Sequence, residues 1–276
     1  MTNFNNPLRQ YFRRPAIYIT LPSKGKYYPE GTLDMPDGGE IPVYPMTAID
    51  EITSKTPDAL FNGTAIAELI KSCVPVIKDP WAIPSTDLDT ILVAIRAATN
   101  GNELDIESTC DNCQEVSKYG VNLVGLLSDI TSGEYEKPFK IGELSINFKP
   151  IPYKVVNQGN LDQFDVQRQI NQLESVEDQD ERTKQSNQLL KKLTDMNISL
   201  ITNTIESIDT PSESVTNKDF IAEFLKGCDK NTFDSIRNYV VSLRESSNIK
   251  PLKVKCIHCS HEYQQPLALN VTDFFE

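Results

Sequence analysis

Histidine is almost missing from this chain: there are two in 276 residues, and one tryptophan. Both histidines, His258 and His261, sit beside the same cysteine pair, so no Ser-His-Asp set is suggested elsewhere. No Gly-x-x-x-x-Gly-Lys-Ser/Thr or Gly-x-Gly-x-x-Gly stretch occurs, which removes the common phosphate and dinucleotide cradles. No apolar run approaches the roughly 18–20 residues of a membrane span. Residues 1–14 are polar and lack the apolar centre of a secretory signal, so a cytosolic protein is expected. Positive charge is short as well. The formal net charge is -12, whereas phosphate binding needs clustered Lys and Arg, so a nucleic-acid partner is disfavoured. The composition carries no local signature of catalysis, and a non-enzyme is expected.

What the chain does have is an ordered set of cysteines. Four of the six form two Cys-x-x-Cys pairs, Cys110/Cys113 and Cys256/Cys259. In a reducing compartment such pairs read as metal or redox chemistry before structural disulfides. A two-residue gap lets both thiolates turn inward on one tight loop, and two such knuckles complete a tetrahedral four-thiolate shell. Such a shell has no open position for a reactive water, so the expected cofactor is one structural Zn2+. The spacing alone does not separate zinc from iron. A redox pair heading a helix is the competing reading, but both pairs here lie between β-prone stretches: Leu104 and Ile106 or Leu252 and Val254 before, Val121 and Leu123 or Leu267 and Leu269 after. Inert thiols, sites that recruit His258 or His261, and sites shared between subunits also compete with the single closed shell. The pairs lie far apart in sequence, but loop length costs little, about 0.6 kcal/mol per doubling, against roughly 10–16 kcal/mol for structural zinc in small peptides. The metal would staple the ends of a long insertion. Cys73 and Cys228 lie on apolar faces of expected helices and read as core residues.

The expected fold class is α+β: mainly helical, with a zinc-ribbon-like β module formed by the two distant Cys-x-x-Cys hairpins. Four regions are expected. Residues 1–45, punctuated by Pro and Gly, read as an irregular N-terminal arm with short strands. Residues 46–128 read as a helical block plus the first knuckle: Thr47 caps a short helix, Thr56 and Pro57 start another, and Ile66, Leu69, Ile70 and Cys73 share one face. A further helix is expected from Ser85 to Asn100 with Gly101 as its stop. Residues 129–250 read as a β-hairpin over 137–153 and a long helical insertion. Helix is expected across 160–208, with seams at Val166, Ile170, Leu173 and at Leu189, Leu193, Met196, Leu200. Residues 177–188 carry no large apolar side chain and are either a solvated helix or a break. Two amphipathic helices follow, lined by Phe220, Ile221, Phe224, Leu225 and by Phe233, Ile236, Val240, Leu243. Residues 251–276 hold the second knuckle and close the ribbon.

One basic cluster stands out: Arg9, Arg13, Arg14, Lys24 and Lys26. It is either a docking surface for an acidic partner or a solvated arm. The stretch 17–28, Ile-Tyr-Ile-Thr-Leu-Pro-Ser-Lys-Gly-Lys-Tyr-Tyr, resembles the "LPS-x-G-x-x-Y" entry motif of the baseplate hub assembly proteins of T-even-like contractile-tailed bacteriophages. The helical block 46–101, with Thr-Pro-Asp-Ala-Leu-Phe-Asn-Gly at 56–63, and the ending at Asp273-Phe-Phe are similar to that family as well. Its coverage is the first 125 or so residues and the last 25; the middle, 155–250, carries no match. The resemblance implies a tail protein acting in the host cytoplasm during baseplate or tail assembly, either retained in the virion or leaving as a chaperone. Implied partners are other tail, baseplate or tape-measure proteins, with homo-oligomers allowed and no membrane. Arg13, Arg14, Lys24, Lys26, Tyr27, Tyr28 and the 177–188 segment are the candidate contacts. The contrasting possibility is a zinc-ribbon regulator that binds nucleic acid through Lys253 and Lys255.

Overall fold

A computed structural model describes residues 7–56, 59, 61–173, 178–267 and 274. The expected helix start at Pro57, the apolar position Leu269, the ending at Asp273 and residue 177 lie outside the described residues. The chain is α+β and mainly helical, built on two apolar cores and a ribbon-like β module whose Leu104 and Val121 belong to the first.

The first core is laid around one helix. Strands β1 (Ile17–Thr20) and β2 (Glu40–Val43) pair antiparallel, Ile17 opposite Val43. Period-two alternation turns Ile19, Ile41 and Val43 inward, and Leu21 follows them. Helix α1 (Ala48–Ser54) starts at Thr47 with a capping box: the Thr47 hydroxyl accepts from the Asp50 N–H, and Asp50 accepts from the Thr47 N–H. Helix α2 (Thr64–Cys73) buries Leu69, Ile70 and Cys73. Helix α3 (Ser85–Asn100) is apolar on nearly every side from Thr90 to Ala97, the signature of a helix inside a core. Gly101, at φ 94°, ends it in a conformation that L side chains avoid. The Arg96 Nε–H donates to the Phe274 carbonyl at 2.7 Å, and the Phe274 ring is buried in the same core.

The second core is built from residues 135–243. Strands β5 (Phe139–Ile141) and β6 (Leu144–Phe148) form the expected hairpin, turned through Gly142 at φ 58°. From there α5 (Tyr153–Leu173) and α6 (Gln179–Thr204) run out and back as 21 and 26 residues, spans of roughly 31 and 39 Å. Tyr153 anchors the base of α5 in the first core, stacked on Trp81 at 5.1 Å. The sequence pattern predicts helix through 208, but the helix stops at Thr204. Residues Ile205–Asp209 form strand β7, which pairs with β6 (Ile146 opposite Ile208) and with β8 (Ser214–Val215). The resulting sheet runs β5-β6-β7-β8. Helices α7 (Lys218–Gly227) and α8 (Lys230–Ser247) cover it with Ile221, Leu225, Ile236, Val240 and Leu243.

Two expected apolar positions face water. Ile170 is 37% exposed, because a two-helix hairpin buries only one stripe of each helix. Phe220 is 62% exposed, on the edge of an apolar face wider than the core it meets. Residues 179–188 are a solvated stretch of α6. Cys73 is fully buried, whereas Cys228 is half-buried at the end of α7. Among the described residues no helix is long and apolar enough to cross a membrane.

Candidate metal centre

Two strand pairs carry the cysteines. In the first, β3 (Glu103–Thr109) runs antiparallel to β4 (Val116–Asn122), which leads straight into helix α4 (Leu123–Asp129). In the second, β9 (Leu252–Lys255) pairs with β10 (Glu262–Gln265). The turns repeat each other bond for bond. The Cys110 carbonyl accepts from the Gln114 N–H at 2.9 Å, and the Cys110 N–H donates to the Glu115 carbonyl at 3.0 Å. The Cys256 carbonyl accepts from the Ser260 N–H at 2.9 Å, and the Cys256 N–H donates to the His261 carbonyl at 2.8 Å. Gln114 and Ser260 both stand at φ 61° without being glycine. Such a conformation costs roughly 1–2 kcal/mol per residue, and both turns accept it to aim two sulfurs at one point.

All four sulfurs lie within 4.8 Å of one another. Cys110 Sγ is 3.7 Å from Cys259 Sγ, and Cys113 Sγ is 3.6 Å from Cys256 Sγ. A disulfide needs about 2.05 Å. A tetrahedron with Zn–S bonds near 2.3 Å has edges of about 3.8 Å, so the cluster has the dimensions of a four-thiolate metal shell. In each pair the first cysteine is buried, Cys110 and Cys256 at 1% each, and the second is more exposed. One chain supplies the whole set. His258 touches it through its backbone N–H, 3.4 Å from Cys256 Sγ, and the His261 ring stacks on Tyr263. Neither imidazole belongs to the cluster.

The thiols of Cys259 and Cys113 are pushed in opposite directions. The Asn112 amide donates to Cys259 Sγ at 3.6 Å and is the largest influence holding that thiol down at about 6. At Cys113 the Glu115 backbone pulls the same way but is overcome by burial and by the three neighbouring sulfurs, which push the thiol up to about 12. A cation held in the centre would relieve this crowding by taking all four as thiolates, and protons would compete for them in acid. A metal bound by all four sulfurs would have no open position for a substrate.

The two hairpins meet face to face around polar contacts that the alternation of apolar residues did not reveal. The Ser108 hydroxyl lies 2.8 Å from the Tyr263 hydroxyl and donates to Gln265 Oε1 at 2.5 Å. The Tyr119 hydroxyl donates to the Lys255 carbonyl at 3.1 Å. The one visible signal was Ser108 itself, a small polar residue where Leu104 and Ile106 set an inward apolar phase.

The candidate contact residues of the arm are well apart from this centre in sequence, and several are engaged within the chain. The Arg13 guanidinium donates to the carbonyls of Pro45 and Ser72 and pairs with Asp50 at 3.2 Å. Lys26 pairs with Glu136, and Tyr27 packs edge-on against Tyr135. The 23–28 turn is fastened to α3: the Ser23 N–H and hydroxyl both donate to Asp87, at 2.8 and 2.5 Å. Gly25 stands at φ 78°, where an L side chain is strained, and a Cβ there would also have to displace the Met35 methyl, 2.6 Å away. Burial pushes the Tyr28 phenol up, helped by the nearby Asp87 carboxylate. Arg14 and Lys24 have no such tie among the described residues.

Comparison with curated proteins and with solved structures finds no match. A family model does match, described as T4 bacteriophage base plate protein, over residues 19–276. The match begins inside β1, takes in both cysteine pairs, and runs through the insertion, the part that carried no resemblance of its own. With nearly the whole described chain inside that match, the protein belongs to the T4 bacteriophage base plate protein family.

Proposed function

We propose that this baseplate protein serves at the hub of the tail as a structural or assembly component, that it works by contact with other tail proteins and not by catalysis, and that Cys110, Cys113, Cys256 and Cys259 hold one structural zinc ion. The observation that carries the reading is the closed four-cysteine cluster inside a baseplate family match that spans both knuckles. A centre whose every direction is filled by thiolate fixes shape, and fixed shape is what an assembly component offers its partners. It acts in the host cytoplasm during assembly. The arm residues Arg14, Lys24 and Lys26, with Arg13, Tyr27 and Tyr28 shaping the turn that carries them, are proposed as one contact region.

Co-expression with the hub and tape-measure proteins of the same phage, followed by native mass spectrometry, tests the reading. A stable complex with at least one of them is expected, and the same spectrum reports homo-oligomers. A chain that stays apart from every tail protein contradicts it. Mass spectrometry of purified virions then separates a retained component from a chaperone that leaves.

A further inference from the structure

The ribbon leaves two strand edges open toward one groove. Among the described residues β4 pairs only with β3, and β9 only with β10. The phase of the pairing identifies the unused backbone groups. Antiparallel partners alternate between hydrogen-bonded and non-hydrogen-bonded pairs. In the first hairpin the Cys110 N–H bonds the Glu115 carbonyl. Counting along the register from there, Ile106 and Tyr119 form a bonded pair, whereas Asp105 and Gly120 do not. The N–H and C=O of Gly120 therefore point away from β3. In the second hairpin the count starts from the Cys256 N–H on the His261 carbonyl and leaves Lys253 and Lys255 pointing away from β10. All three residues line a single groove of roughly 480 Å3 between β4 and β9, with Tyr119 and Leu126 among its other walls. The Tyr119 hydroxyl already uses one of these acceptors, the Lys255 carbonyl.

Two further observations indicate the occupant. Gly120 interrupts an exposed strand edge with no internal reason: a Cβ there would meet nothing closer than carboxylate oxygens of Asp105 and Glu103 at 3.9 Å. A strand glycine in open space is where another backbone can come close. The charge is also local and reversed. In a chain of net charge -12, the groove is lined by two exposed lysines two positions apart and by one acid, Asp129.

We propose that this groove receives an extended acidic strand of a partner protein, which pairs through its main chain with the free edge of β4, lies against β9 and sets alternate carboxylates against Lys253 and Lys255. Free strand edges offer alternating donors and acceptors, which a strand can match and a row of phosphates cannot. The proposal rests on the reading that the chain works by protein contact, and it names a surface other than the arm.

The test is hydrogen exchange on the full metal-loaded chain with an acetylated, amidated Glu-Val-Glu-Val-Glu-Val-Glu peptide, its lysine counterpart and a duplex DNA of 20 base pairs as probes. The acidic peptide is expected to slow exchange at 118–122 and 252–255. The K253E/K255E double variant, both changes at exposed positions, is expected to weaken it roughly tenfold. A G120P variant that keeps its metal is expected to lose the protection, because the outward N–H is gone while the β3 ladder is untouched. No protection at about 1 mM peptide, equal protection by the lysine peptide, or protection by DNA in its place overturns the proposal. A chain that binds a tail protein with these segments still unprotected loses this surface and keeps the assembly reading. A chain that binds the peptide here but no tail protein does the reverse.

Discussion

The first core and the ribbon solve the same problem with different chemistry. Around α3, stability comes from apolar area: Ile91, Val93, Ala94 and Ile95 are wholly buried among Leu21, Ile41, Val43, Ile70 and Val74. Between the two hairpins the inward positions include Ser108 and Ser117, and the contacts are hydroxyls, an amide and four sulfurs. Two two-stranded sheets are marginal alone, and only their ends away from the cysteines, through Leu104 and Val121, join the first core. On the proposed reading, the difference is that the ribbon would depend on a bound metal and on proton concentration, whereas the core depends on packing.

The comparison can be broken most severely at the sulfurs. Cys110→Ser is expected to release the metal and remove exchange protection from 103–122 and 252–265 while 85–100 stays protected, since roughly 10–16 kcal/mol of binding energy is lost from the ribbon. If 85–100 opens at the same denaturant concentration, the two regions are one unit. In the core, Ile91→Ala should cost about 2–5 kcal/mol by denaturant unfolding without changing the metal content. Removing the buried acceptor with Asp87→Ala should cost about 1–3 kcal/mol, because the Ser23 N–H and hydroxyl lose their partner.

Acid sharpens the contrast, because the two regions answer it with opposite sign. If the proposed metal is bound, the knuckles are expected to lose it as protons compete for the thiolates. In α3, burial pushes the Asp89 carboxyl up to about 6. A carboxyl raised above its unfolded value near 3.8 contributes stability that is full below that value and is lost as pH rises through about 6. Asp89→Asn should flatten this fall between pH 4 and 7, a change of roughly 1–2 kcal/mol once partial exposure is allowed for, measured on the protection of 85–100. At the small end, Ile170→Ser on the exposed flank of α5 should shift stability by no more than about 0.5 kcal/mol. A larger loss would mean that α5 packs against something at that face.

How much of this was legible in the sequence follows from how local each cause is. Helix α3 was readable at both ends because its stop is chemical, a glycine at positive φ, and its apolar pattern repeats on itself. The knuckles were readable because a two-residue gap between cysteines has few other uses. Strand β7 was not. Ile201, Ile205 and Ile208 continue a helical spacing, and only the pairing of Ile205 with Phe148, a partner far back in the chain, makes them a strand. Likewise Asp87 looked like an ordinary acidic first turn of a helix. Its role as acceptor for the 23–28 turn depends on a neighbour 64 positions away. The Ser108 contacts and the groove between β4 and β9 depend on two hairpins meeting, which no window of sequence contains.

The most direct measurement is the native mass of the chain purified without chelator, before and after mild acid. One zinc ion per chain, released in acid together with exchange protection of both hairpins, is the expected result. A chain that carries no metal, with four thiols open to alkylation and the hairpins still protected, would contradict the account of the ribbon as a metal staple.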